Sequence, residues 1–202
     1  MNSKEVYDYI LKIQSIAKIG LVFSKDPYAL TNYKEINDLS TKFLEDFNNV
    51  KLDRNNYFER DIYPTPGVSA RTIIFNEEKT KVLLVREVNS HQYSLPGGWC
   101  DLYDSPADTA KAECIQEAGA LIKDLELVGV CNRTPFISST GIPNYVIIFK
   151  AKLDKLQKEH EYETDDVNFF DINNLPEISR KTSKDELLRF INAAKDNKVI
   201  FD

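Results

Sequence analysis

The sequence predicts an α+β fold: an α/β/α sandwich around a mixed sheet, preceded by an N-terminal helical extension. Three observations carry this expectation. Apolar side chains recur at helical spacing through the first part of the chain, as far as Phe47. From Gly67 the pattern changes to short strands punctuated by turn residues. A capped helix then interrupts the strands, and an amphipathic helix lies near the end, giving the order strands, helix, strands, helix.

The first helix carries Val6, Ile10, Ile13 and Ala17 on one stripe and is expected to end near Ser24. Lysines and glutamine interrupt it too often for a bilayer span, and no secretory signal is recognisable. Asp26-Pro27 starts a new turn, and a second helix is expected from Thr31 to Phe47 with Tyr33, Ile36, Leu39 and Phe43 as its apolar stripe. Two helices cannot bury both apolar faces alone, so they must pack on the following domain or on a second copy of the chain. Residues 48 to 66 read as a polar connection, which sets the expected domains at 1–62 and 63–202. Val68 to Phe75 and Lys81 to Arg86 read as a hairpin around a polar turn. Ser105 suits a helix N-cap, Pro106 the first helical position, and Gly119 the end. Strands are expected at Leu125 to Val130, Tyr145 to Ala151 and Asn168 to Ile172. Lys184 to Lys195 is a final helix with Leu187, Leu188, Ile191 and Ala194 inward.

A hydrophobic content of 42% is enough for a substantial core. The net charge of −6 and pI near 5.1 argue against a general nucleic-acid or membrane-surface binder. Cys100, Cys114 and Cys131 form no CxxC, so neither a disulfide framework nor a zinc site is expected, and free thiols fit a reducing cytoplasm. His91 and His160 are too few and too far apart for a ligand cluster.

The chemistry concentrates between Gly97 and Gly119. Ala107, Ala110, Cys114 and Ala118 form a stripe of small side chains, so the helix can lie close to whatever it covers. Glu113 and Glu117 stand at i, i+4 on the edge of that stripe. Without a cation two like charges there cost about 0.2–0.5 kcal/mol. A hard divalent cation, which prefers oxygen ligands, reverses the sign.

This segment resembles the Nudix box, G-x5-E-x7-R-E-U-x-E-E-x-G-U with U a bulky aliphatic residue. Gly98, Glu113, Glu117 and Gly119 match its first glycine, the Glu of its Arg-Glu pair, its last Glu and its closing glycine, and Leu95-Pro96-Gly97 precedes them as in the family. Asp104 replaces a Glu, Ala112 the Arg, Gln116 the first Glu of the Glu-Glu pair, and Ala120 a bulky aliphatic. The resemblance implies Mg2+ or Mn2+ on Glu113, Glu117 and the Gly97 carbonyl, in a site weakened or altered by the replacements. It also implies a loop carboxylate as catalytic base, Glu163 by placement or Asp166 in reserve. Lys12 to Leu21, followed by Tyr63-Pro64-Thr65-Pro66, resembles the helical extension of the ADP-ribose pyrophosphatase-like subgroup, which includes CDP-choline pyrophosphatases. That likeness implies a homodimer.

Arg71, Arg86 and Arg133 are candidate phosphate contacts, because arginine grips a diphosphate through paired hydrogen bonds. Tyr93, Trp99, Tyr103 and Phe136 could stack on a base, and Trp99 and Phe136 could equally be core. The expected function is metal-dependent hydrolysis of a nucleoside diphosphate linked to another group, giving a nucleoside monophosphate and a phosphorylated partner. Two rivals stand beside it: a nucleotide-conjugate binder without turnover, supported by Ala112 and Gln116, and an interaction protein acting through its N-terminal helices.

Overall fold

The computed structural model describes residues 3–48, 67–133, 144–157 and 163–202. The predicted boundary at 62/63, the Tyr63-Pro64-Thr65-Pro66 run, Phe136 and His160 lie outside them. The chain divides into two compact units, Met1–Pro64 and Thr65–Asp202. No described helix is long and apolar enough to cross a membrane.

The first unit contains a helical hairpin of α1 (Ser3–Phe23) and α2 (Pro27–Asn48). α2 starts ahead of the expected Thr31 because Asp26 Oδ1 accepts the Tyr28 amide at 2.9 Å and Pro27 supplies a pre-set first position. Leu11, Gln14 and Ala17 of α1 are buried, as are Asn37, Ser40, Thr41 and Leu44 of α2. Gln14 Nε2 donates to Thr41 Oγ1 across the seam at 2.7 Å. The seam is therefore rotated from the predicted α2 stripe, and Leu39 is 62% exposed. Ile16, Ile19, Val22, Phe23 and Ile36 are exposed as well, so the hairpin leaves large apolar groups outside its own seam.

The second unit comprises β1 (Gly67–Ile74), β2 (Lys81–Glu87), β3 (Tyr93–Ser94), β4 (Gly97–Trp99), α3 (Pro106–Ala118), β5 (Ala120–Asn132), β6 (Asn144–Leu156), β7 (Thr164–Asp171), α4 (Lys184–Lys195) and β8 (Ile200–Phe201). A five-stranded mixed sheet runs β4-β1-β6-β5-β8, with β1–β6 and β5–β8 parallel. A three-stranded antiparallel sheet runs β3-β2-β7. The single mixed sheet expected from sequence is thus joined by a second, smaller one.

Strand alternation splits the interior into two cores. Ile73, Val82 and Leu84 gather with Leu187, Phe190 and Ile191 of α4, whereas their neighbours Ile74, Leu83 and Val85 gather with Cys114 and Ala118 of α3. β1 and β2 are consequently buried on both faces, and β2 reads as an apolar run from Val82 to Val85. Ser105 caps α3 by accepting the Asp108 amide at 3.1 Å, and Gly119 closes it in the left-handed conformation, as expected. α4 buries Phe190 and Glu186 in addition to the predicted Leu187, Ile191 and Ala194, while Leu188 is only half-buried.

Glu186 is buried for a reason. Its carboxylate takes Arg133 Nε at 3.0 Å and Nη2 at 3.3 Å, fastening the first turn of α4 to the end of β5. Both side chains are almost fully enclosed, at 4% and 1% exposure. Removing one partner leaves an uncompensated charge. Glu186→Ala is expected to lower the unfolding free energy by about 3–5 kcal/mol in a denaturant titration. The apolar pair Arg133→Met, Glu186→Leu is expected to recover most of it.

Candidate active site

β4 runs antiparallel to β1 in the register Arg71↔Gly97 and comes close against α3. The Gly97 amide donates to Glu117 Oε2 at 2.8 Å. Glu117 is only 6% exposed, and its main-chain carbonyl accepts the Thr164 hydroxyl of β7 at 2.6 Å. Gly97 has φ +152°, and a β-carbon there would collide with the Ala70 carbonyl and Arg71. A β-carbon at Gly98 would collide with Glu113 Oε1. The two glycines therefore bring one carboxylate onto the strand backbone and leave space for the other.

Burial pushes the Glu113 carboxyl up to about 7, and the neighbouring Glu117 adds to this. Burial raises Glu117 too, opposed by Arg71 and by the Gly97 amide. Arg71 is 5% exposed and donates Nη1 to the Leu95 carbonyl at 2.7 Å, while its Nε has no hydrogen-bond partner. Glu163 adds negative charge near both acids, and Lys181 offsets it.

The structure brings together Gly97, Glu113, Glu117, Arg71 and Glu163 from the predicted set. Glu163 is exposed just before β7, where its carbonyl accepts the Val88 amide at 3.1 Å. Asp166 is occupied, accepting from the Tyr93 hydroxyl and from Asn168 Nδ2. Arg86 and Arg133, expected as phosphate contacts, are committed elsewhere. Arg86 Nε donates to Asp165 at 2.6 Å, and Arg133 is locked to Glu186. Of the aromatic candidates, Tyr93 makes an edge contact with Phe170, whereas Trp99 and Tyr103 are exposed. Two residues near the acids escaped the sequence reading: Glu87 and Lys181, which pair at 3.5 Å. Lys181 falls in a polar run before α4 that gives no periodic signal.

Among the described residues no three His, Cys, Asp or Glu side chains converge on one point. The acidic donor set is thus the Glu113–Glu117 pair. One buried and one half-buried carboxylate beside a single buried guanidinium make an oxygen donor pair that suits a hard divalent cation.

Comparison with known proteins agrees with this geometry. A NUDIX domain model matches residues 65–191, and a model described as the UDP-X-like, N-terminal oligomerisation domain matches residues 4–54. The chain is 31% identical over 197 residues to YjhB of Bacillus subtilis (strain 168), provisionally named an ADP-ribose pyrophosphatase, covering 95% of this chain and 94% of the relative. A crystal structure of an ADP-ribose pyrophosphatase from Streptococcus suis 89-1591 superposes with a TM-score of 0.60 at 28% identity, over 68% of this chain and 100% of that one. The crystal structure of a UDP-X diphosphatase superposes with a TM-score of 0.64 at 24% identity, over 100% of this chain and 99% of that one, a likeness of fold.

The raised Glu113 has a signed consequence. Between the ordinary value of 4.5 and about 7 the folded chain holds a proton that the unfolded chain has released, so stability falls as pH rises through that window. Thermal unfolding of the metal-free protein is expected to show this fall, and Glu113→Gln to flatten it. Gly98→Ala is expected to weaken Mn2+ binding by about tenfold or more, read by titration, because the added methyl displaces the Glu113 carboxylate.

Proposed function

The chain belongs to the Nudix family of hydrolases, and on that premise we propose that it cleaves a nucleoside diphosphate linked to a second group, with Mg2+ or Mn2+ held by Glu113, Glu117 and the Gly97 carbonyl. The observation that carries this reading is the Gly97 amide on Glu117, with Glu113 lodged over Gly98. A divalent ion bound there would neutralise diphosphate charge and lower the pKa of water. The chain's own contribution is to hold a buried acid, Glu117, one helical turn from the half-buried Glu113. Arg71 is too enclosed to grip an exposed diphosphate, and we assign it to positioning as the counter-charge beneath the acids. Glu163, exposed beside them, is the acceptor for the attacking water's proton. The products are a nucleoside monophosphate and a phosphorylated partner.

ADP-ribose is the first substrate to test, following the names of the Bacillus and Streptococcus relatives. CDP-choline and a UDP-sugar belong in the same panel. Ala112 and Gln116 are exposed on α3, and the retained Glu113 and Glu117 support turnover in this reading. Residues 1–62 form the dimerisation module in this reading. The oligomerisation-domain match and the apolar groups that α1 and α2 leave outside their seam support that assignment.

With Mg2+ or Mn2+, at least one member of the panel is expected to be cleaved. Glu113→Gln and Glu117→Gln are each expected to lower kcat/KM by more than about 100-fold, the upper end of what losing a hydrogen-bond partner of a metal ligand costs. Conjugate binding by the wild type with no cleavage under either metal would refute the hydrolase reading and leave the binder.

A further inference from the structure

We propose that the pocket at the end of β2, walled by Glu87, Ser179 and Lys181, is a phosphate subsite for the substrate, with Lys181 as its phosphate-binding side chain. This deepens the hydrolase reading and rests on it. The pocket is lined by Glu87, Ser90, Gln92, Ser179, Arg180 and Lys181.

Its position follows from strand register. Glu87 lies opposite Thr164 in the β2–β7 pairing, and the Thr164 hydroxyl holds the Glu117 carbonyl. Val88, the next residue, takes the carbonyl of Glu163. The pocket therefore abuts the acids through two short links.

Its walls are fastened. Glu87 Oε1 accepts the hydroxyl of Ser179 at 2.8 Å, and Oε2 accepts that of Ser90 at 3.1 Å. Ser179 is 2% exposed, donates its amide to the Tyr93 carbonyl at 2.8 Å, and accepts the Lys181 amide on Oγ at 3.0 Å. The segment bearing Lys181 is thus fixed to the β2–β3 edge.

The Lys181 ammonium itself is only loosely held. It sits 3.5 Å from Glu87 and its side chain is 48% exposed. Glu87, whose side chain is 14% exposed, already accepts the two serine hydroxyls, so the half-exposed ammonium can exchange it for a phosphate oxygen without leaving that carboxylate bare. Arg71 and Arg133 are buried, and Arg86 is held more closely than Lys181, at 2.6 Å from Asp165. An acidic niche repels a diphosphate, and a cation at its edge offsets that repulsion.

Chemistry also limits what else the pocket takes. Arg180 and Lys181 outnumber the single carboxylate of Glu87, and no aromatic ring is among the lining residues. A quaternary ammonium, which favours aromatic faces, is disfavoured there, whereas a phosphate bearing hydroxyl groups finds both cations and acceptors.

The test compares wild type, Lys181→Met and Lys181→Arg with ADP-ribose and Mn2+. Lys181→Met is expected to raise KM by about tenfold or more, the scale of one charge-assisted hydrogen bond, with kcat within about threefold. Lys181→Arg is expected to restore KM to within about threefold of wild type. Mn2+ affinity without substrate is expected to stay within about twofold in both variants. An unchanged KM overturns the proposal, and so does a KM rise matched by loss of Mn2+ affinity, since Lys181 would then act through the acids. Should the wild type bind ADP-ribose without cleaving it, the hydrolase reading fails by itself. The calorimetric Kd then replaces KM and decides Lys181 by the same tenfold criterion.

Discussion

The constraint on which the site depends is the approach of one strand's backbone to a buried carboxylate on a helix. The Gly97 amide meets Glu117 from a strand that lies so close to β1 that a β-carbon there would collide with the Ala70 carbonyl and Arg71. The helix in turn must lie low, and Ala110, Cys114 and Ala118 make that possible by presenting small side chains inward. Caps at Ser105 and Gly119 fix where α3 begins and ends, and so fix the rotation that aims Glu113 over Gly98. A larger residue anywhere in this contact separates the acids from the strand that orients them.

The two cores share strands β1 and β2, so the sandwich ties the site to the opposite face. Arg71 on β1 feels both the acids on the α3 side and Arg133 toward α4. Burial, with Arg71 adding to it, holds Arg133 down to about 10. Two guanidinium groups in one interior would repel, and Glu186 supplies the opposing charge for Arg133. That compensation leaves Arg71 available to Glu113 and Glu117. The distant ion pair is in this sense a condition for the charge balance beneath the acids.

Local chemistry made α3 and its ends legible, because N-cap, N1 proline and closing glycine act within a single turn. The doubly buried strands were legible as well, since Val82 to Val85 is a continuous apolar run. β3, β4 and β8 were missed because two or three residues show no period. The hairpin seam was misjudged because it buries Gln14, Asn37 and Thr41, polar residues that hydropathy places outside. Within the site, the Glu113–Glu117 pair was legible from its i, i+4 spacing, and Gly97 from the resemblance to the Nudix box. Arg133 was misread for want of Glu186, a partner far along the chain. Lys181 and Glu87 were missed for the same reason, since strand register and a loop bring them together.

Three departures from the Nudix box fall at exposed positions. Ala112, Gln116 and Asp104 are all exposed. Ion pairs and hydrogen bonds on such a face contribute roughly 0–1 kcal/mol, because water serves nearly as well as a partner. Glu117 is different in kind, since a carboxylate at 6% exposure cannot be replaced by solvent and must be bonded by the protein. Ala120 is buried, in the α3 core with Cys114, Ile74, Leu83 and Val85. The box has thus changed at three exposed positions and at the buried Ala120. It is unchanged at Glu117, where a buried carboxylate oxygen takes the Gly97 amide.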